Sequence, residues 1–275
     1  MRAAARVDLG ALARARGVRL VSLDKVDSTN DEAKRLVATG ERGPLWIVAQ
    51  QQTQGRGRLG RAWVSAPGNL HASFILADFG GLTIAPQLGF VAGVAAIEAL
   101  RRVVGDAAHF ALKWPNDLLF DGGKLGGVLL EAVATPSADP QPQMAAIVGV
   151  GVNCAFAPAD LPYETRSLAA LGPGAPTAAQ LFAHLSDTFV ETLDLWSGGA
   201  GFAAVRARWL EVAAGLGSPI RVALSRGETV EGRFETIDPT GRLVLATLEG
   251  ARTIEAGDVF LAPPAQHALE RSGRQ

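Results

Sequence analysis

The chain has 275 residues, 48% of them apolar and 19% charged, with a formal net charge of −1. That length suits one large domain, or one domain plus a small appendage, and the near-neutral balance gives no overall pull toward nucleic acid or a membrane surface. One cysteine, Cys154, excludes an intramolecular disulfide, and an N-terminus without an uninterrupted apolar core is not a secretory signal, so the expected compartment is the cytoplasm.

In chain order, residues 1–17 read as a short amphipathic helix, and "VRLVSLDKV" alternates like a strand. "DSTNDEAKRLVATG" follows with helix-start chemistry: Ser28, Thr29 or Asn30 as cap, Asp31 and Glu32 in the first turn, Gly40 as the stop. "LWIVAQQQ" and "LHASFILA" read as strands on either side of a glycine- and arginine-rich loop. "IAPQLGFVAGVAAIEALRRVVG" is a helix against the sheet; its apolar run is broken by Glu98 and too short to cross a bilayer. "HFALKWP", "DLLFDGGKLGGVLLEAVA" and "MAAIVGVGVNC" supply further strands, with a tight turn at Asp121-Gly122-Gly123. "ATPSADPQPQ" is a Pro-rich surface loop, and two helices then meet at Ser197-Gly198-Gly199.

Beyond Gly215-Leu216-Gly217 the texture turns to short alternating strands with turns every eight to ten residues, as in a small β-barrel. The predicted architecture is α+β: a mixed or antiparallel sheet with helices on one face over residues 1–215, an SH3-like barrel over 216–263, and a polar tail over 264–275.

Two stretches concentrate the chemistry. "GRGRLGRAW" puts Arg56, Arg58 and Arg61 on a glycine-rich backbone, able to wrap an anion with forked donors. Its letters fit G-x-G-x-x-G, but a Trp and a strand follow instead of a helix, so it is no dinucleotide fingerprint. Standing alone, it is also what a solvated basic turn looks like. "KWPNDLLFDGGKLGGVLLE" holds Asn116 and Asp117 at a corner set by Pro115, and brings Lys124 out of a hairpin beside Gly126 and Gly127. Only four lysines stand against 22 arginines, and Lys113 and Lys124 are both in this stretch. The four histidines have no metal-site spacing, Cys154 has no activating partner and no G-x-S-x-G elbow exists. The inventory suits a reaction in which the substrate brings its own nucleophile and the protein positions it and neutralises charge.

Taken together, "DSTNDEAK", "QTQGRGRLGRAW", "KWPNDLLFDGGKLGGVLLE" and "GVGVNC" resemble the biotin protein ligase family in order and approximate spacing, over residues 20–260. The resemblance implies an enzyme that joins biotin and ATP into biotinyl-5′-AMP, with Mg²⁺ accompanying the nucleotide and no metal bound by the protein. It then passes the biotinyl group to a lysine of a biotin carboxyl carrier protein. It implies biotin contacts from Ser28, Thr29, Asn30 and Gln52, a wall from Trp63, and access beside Gly126 and Gly127. It gives the phosphates and adenylate to Arg56, Gly57, Arg58, Arg61, Asn116, Asn153 and Lys124. Lys124 and Arg58 would act on the reacting groups, and Asp117 would orient or deprotonate the incoming amine.

The pattern departs from the family in two places. The ligase-like segment begins near residue 20, so specific DNA binding through an added N-terminal domain is not expected. "SAPGNLHAS" has His71 where a tyrosine-like residue is common, and a single glycine before Asn69. A lipoate or octanoate ligase or transferase of the same superfamily, and a non-catalytic biotin or nucleotide sensor, are the alternatives. The sequence leaves open whether the chain is a monomer or a homodimer; no membrane association is expected.

Overall fold

The computed structural model describes residues 7–105, 108–136, 143–224 and 227–261. Most of the Pro-rich loop, the start of the N-terminal helix reading and the tail over 264–275 lie outside them. A short helix α1 (Ala11–Ala15) leads into β1 (Arg19–Val26), α2 (Thr29–Ala38), β2 (Leu45–Gln52), β3 (Leu70–Ala77) and α3 (Gln87–Val104). Strands β4 (Phe110–Lys113), β5 (Asp117–Phe120), β6 (Gly123–Ala134) and β7 (Met144–Val152) follow, then α4 (Ala178–Trp196) and α5 (Phe202–Glu211).

Strands β1 to β7 form one sheet in the order β1-β2-β3-β7-β6-β5-β4. Only β1 and β2 are parallel, because α2 crosses over between them, and the other neighbours are antiparallel. Between β5 and β6 the chain turns at Asp121 (φ 45°) and Gly122 (φ 79°). Two consecutive left-handed residues give the turn that matches strand twist, which is why Asp-Gly stands there.

The central strands are apolar on both faces, so both faces need cover. Trp46, Val48, Phe74, Val148 and Val150 face α3 and α4; Leu45, Ile47, Ile75, Ala145 and Ile147 face the other way. The expectation of helices on one face therefore holds for α3 and α4 and is corrected for α2. Ala33 and Val37 of α2 pack on the opposite cluster. On the first face Trp46 meets Phe74, Phe182 and Phe189 with ring centroids 4.9, 5.5 and 5.1 Å away. Tilted and edge-on aromatic contacts of this kind add to the burial they bring.

A second sheet contains β8 (Pro219–Ala223), β9 (Thr229–Ile237), β10 (Leu243–Thr247), β11 (Gly250–Ile254) and β12 (Asp258–Leu261). It is antiparallel, in the order β11-β10-β9-β8-β12. Its apolar residues Ile220, Val222, Phe234 and Leu245 join the same core as α3 and α4. Trp114 donates its indole N–H to the Gly241 carbonyl at 3.1 Å, and Arg206 bonds Thr236 Oγ1 at 2.9 Å, tying this sheet to the β4–β5 corner and to α5.

Candidate active site

The site lies on the α2 face of the first sheet and is laid out by strand register. Lys113, Asp117, Gly127, Gly151 and His71 stand opposite one another in a single row across β4, β5, β6, β7 and β3. The next row carries Leu129, Gly149 and Ser73. Side chains of cross-strand partners point to the same face. Charge therefore sits at one end of the row, a buried imidazole at the other, and two glycines leave a trough between them.

At the charged end, Lys124 Nζ is 2.6 Å from Asp117 Oδ1, and Lys113 Nζ is 3.1 Å from Asp117 Oδ2. One carboxylate thus orients both lysines. A register shift between Leu118 and Leu119 lets Lys124, paired with Leu119, come round to this side. Its ammonium also lies 5.6 Å from the centre of the Tyr163 ring. A methyl at Gly127 would reach Asp117 Oδ1 at 3.7 Å and Lys124 Cε at 3.9 Å, so the missing side chain keeps space beside the ion pair. Gly126 differs from what the sequence suggested. A side chain there would strike the Gly151 carbonyl and Leu118, so this glycine serves the close approach of strands and not access for a ligand.

The start of α2 closes the trough. Ser28 caps the helix, accepting from the Asp31 N–H at 3.4 Å. Thr29 and Asn30 are buried in the first turn. Gln52 Oε1 accepts the Thr29 N–H at 2.8 Å, while Gln52 Nε2 donates to Ser65 Oγ at 2.8 Å. Asn30 lies over Gly149, where any side chain would overlap its amide. Trp63 lies over Gly151, where a methyl would come within 2.9 Å of the indole. The Trp63 indole nitrogen is buried with no hydrogen-bond partner among the described residues.

The arginine loop is not the loose cluster of repelling cations that its composition implies, because each guanidinium has a partner. Arg56 makes a two-pronged ion pair with Asp31. Arg58 donates to Asn116 Oδ1 at 3.2 Å and reaches the Gly257 carbonyl at 3.5 Å. Arg61 pairs with Asp258 of β12. The pairs hold the Asp31 and Asp258 carboxyls below the usual carboxylate range and raise Arg56 and Arg61. Burial lowers the Arg58 guanidinium from its ordinary value, with Asp258 and Asp117 acting in the opposite sense. At the loop's tip Leu59 takes a left-handed backbone (φ 56°) and points outward, 73% exposed.

Asn153 stands just after β7. It is buried, and its amide donates to the Arg166 carbonyl at 3.1 Å, so it braces the loop after β7. Asn116 also works locally: its Nδ2 holds the Val128 carbonyl at 2.6 Å while its Oδ1 takes Arg58. The groups that sequence reading left out of the site are Asp31, Ser73, Lys113, Glu131 and Asp258. Lys113 was marked by lysine scarcity and Asp31 only as a first-turn helix residue; Ser73, Glu131 and Asp258 carried no local signal. Among the described residues no three His, Cys, Asp or Glu side chains form a metal-holding group, and no helix is long and apolar enough to cross a membrane.

A glycine-floored trough, two lysines on one carboxylate and a cationic flap define a protein class that grips an anionic, activated acyl group without a nucleophile of its own. Residues 23–153 match the model of the biotin/lipoate A/B protein ligase family, and residues 215–262 match the biotin protein ligase C-terminal domain. A biotin–[acetyl-CoA-carboxylase] ligase of Paracoccus denitrificans is 41% identical over 251 residues, covering 86% of this chain and 98% of that one. The bifunctional ligase/repressor of Bacillus subtilis is 31% identical, covering 89% of this chain and 74% of that one. The biotin protein ligase of Aquifex aeolicus, solved with biotin and ATP, superposes with a TM-score of 0.73 at 27% identity, covering 88% and 97% of the two chains. The chain belongs to the biotin protein ligase family.

Proposed function

We propose that this enzyme activates biotin with ATP and biotinylates a lysine of a carrier domain in a biotin-dependent carboxylase. A biotin carboxylate oxygen attacks the α-phosphorus and pyrophosphate leaves, giving biotinyl-5′-AMP. The carrier lysine's amine then attacks the acyl carbon, AMP leaves, and the amine gives up a proton. Both steps gather negative charge on oxygen, where fixed cations in a water-poor site are most effective. The observation that carries this reading is the row itself, because an extended acid laid along Gly151 and Gly127 ends at the lysine pair.

In this reading Thr29 and Gln52 meet the ureido ring, Trp63 forms the wall and Lys124 meets the carboxylate and bridging oxygen. Asp117 keeps both lysines in place and takes the proton of the incoming amine. Arg56 and Arg58 exchange their internal partners for phosphate oxygens, with Arg61 beside them on Asp258. Asn116 sets Arg58, and the Gly57 amide lies beside the phosphates. Mg²⁺ arrives with the triphosphate, held by substrate oxygens and water. We divide the chain near residue 216 and assign the enzyme to the cytoplasm, where carboxylase carriers are the partners.

The test is pyrophosphate release from ATP with biotin, followed by mass analysis of an added carrier domain. A carrier heavier by one biotinyl group is expected, with Lys124→Ala losing about 2–4 kcal/mol of transition-state stabilisation, the range for one charge-stabilising donor. No modified carrier with the wild-type enzyme would remove the ligase assignment, and unchanged turnover in the variant would remove Lys124 from the chemistry.

A further inference from the structure

A run of polar side chains leads from Glu131 on β6 to the start of α2. Asn30 Nδ2 donates to Glu131 Oε2 at 2.8 Å. Ser73 Oγ is 2.6 Å from Asn30 Oδ1 and 2.7 Å from Thr29 Oγ1. Lys34 holds the other Glu131 oxygen at 2.6 Å. Asn30, Ser73 and Thr29 are all buried. Resting on the biotin-ligase reading, we propose that Glu131 and Ser73 are positioning residues that set the site's preference for an acid bearing N–H donors. They do so by fixing the direction of every proton in this run.

The direction follows from what each group can give. A carboxylate accepts and does not donate, so Asn30 turns its NH₂ to Glu131 and its oxygen to Ser73. An amide oxygen cannot donate either, so the single Ser73 proton goes to Asn30. Ser73 then meets Thr29 as an acceptor, and the single Thr29 proton points to Ser73. Gln52 Oε1 lies 3.1 Å from Thr29 Oγ1, on the far side of that hydroxyl's commitments. Gln52 cannot turn over, because its oxygen takes the Thr29 N–H and its NH₂ holds Ser65. Two acceptor oxygens are left side by side with no proton between them.

Such a pair is costly until a donor arrives, and a ligand N–H placed between them bridges both. The ureido ring of biotin carries two N–H groups; the hydrocarbon chain of octanoate and the dithiolane of lipoate carry none. The charge at Glu131 is thus read at Thr29, through Asn30 and Ser73, as selection for an N–H donor. Bonds in such a chain also polarise one another.

The test measures pyrophosphate release by the full chain with biotin and ATP varied separately and octanoate as the competing acid. Wild type, Glu131→Gln, Ser73→Ala and the double variant are compared. Each single variant is expected to raise KM for biotin roughly tenfold or more, the effect of one misdirected buried hydrogen bond. KM for ATP stays put and the preference for biotin over octanoate falls. The double variant is no worse than the poorer single, since both cut the same run. Unchanged KM for biotin, a matching rise in KM for ATP, or losses that add would each overturn the proposal. Ser73→Ala removes one oxygen and keeps the test open should Glu131→Gln fold poorly. A wild type that activates octanoate in place of biotin would instead defeat the ligase reading itself; a biotin-selective wild type with unaffected variants defeats only the proton-direction scheme.

Discussion

Two lysines share the Asp117 carboxylate, and a histidine stands at the far end of the same row. His71 is 1% exposed, its Nε2 faces the Ala66 carbonyl at 3.3 Å and its Nδ1 has no partner among the described residues. Burial pushes its pKa down from 6.5 to about 4, so the folded protein keeps the ring neutral. The unfolded chain takes up a proton near pH 6.5, whereas the folded one does so only near 4. Stability is therefore intact above about pH 6.5 and falls as the pH drops toward 4, by on the order of 3 kcal/mol from this group. Thermal unfolding followed from pH 7.5 to 4 checks it: His71→Phe should flatten that part of the profile. An equally steep loss in the variant would place the acid sensitivity elsewhere. Cys154 is the contrasting case, since burial raises its thiol to about 12 and makes it an inert core residue.

At the scale of elements, β7 does what a helix or loop could not. Its alternation buries Val148 and Val150 under α3 and α4 while Gly149 and Gly151 lie under Asn30 and Trp63. The glycines are required by what lies over them. Gly151→Ala would set a methyl 2.9 Å from the Trp63 indole, and the bulky ring must move. We expect the variant to lose about 1–3 kcal/mol of stability, as overpacking does, and to raise KM for biotin through displacement of the pocket wall. Tryptophan fluorescence and initial rates read both effects, and an unchanged KM would take Trp63 out of the wall. The arginine loop shows a second element-level device. Its order comes from anchors on α2, at the β4–β5 corner and on β12, which add to a single 3-10 turn over Arg58–Gly60 and a bridge between Arg56 and Ala62.

For the whole molecule, the two sheets share a core and meet again at the flap. Arg61 is tied to Asp258, which belongs to the C-terminal sheet. A partly exposed ion pair is worth little alone, about 0–1 kcal/mol, but here it joins the flap to the C-terminal sheet. Asp258→Ala is expected to speed the escape of biotinyl-5′-AMP roughly two- to fivefold, with its formation rate unchanged, the factor such a pair supplies. Arg58→Ala should leak more, because its side chain is the more deeply buried of the two. Trapping free adenylate with hydroxylamine measures the leak, and retention equal to wild type would show that the C-terminal sheet does not hold the flap.

The residues themselves determined the elements and the groups that announce chemistry. Two-residue alternation marked the strands, Ser28 and Asp31 marked the start of α2, Asp121-Gly122 marked the hairpin, and clustered arginines with two scarce lysines marked a place for an anion. These signals are local, depending on side-chain chemistry within a turn or two of backbone. Tertiary structure decided the rest: which face α2 covers, that Gly126 answers to β7, that Asn153 is an internal brace, and which acids neutralise the flap. Asp31, Glu131 and Asp258 lie 25, 101 and 197 positions from the groups they hold, Arg56, Asn30 and Arg61. A hydrogen bond or ion pair acts over a few ångströms of space and is indifferent to separation along the chain. Such partners became visible only when register, crossover and the docking of the second sheet had brought them together.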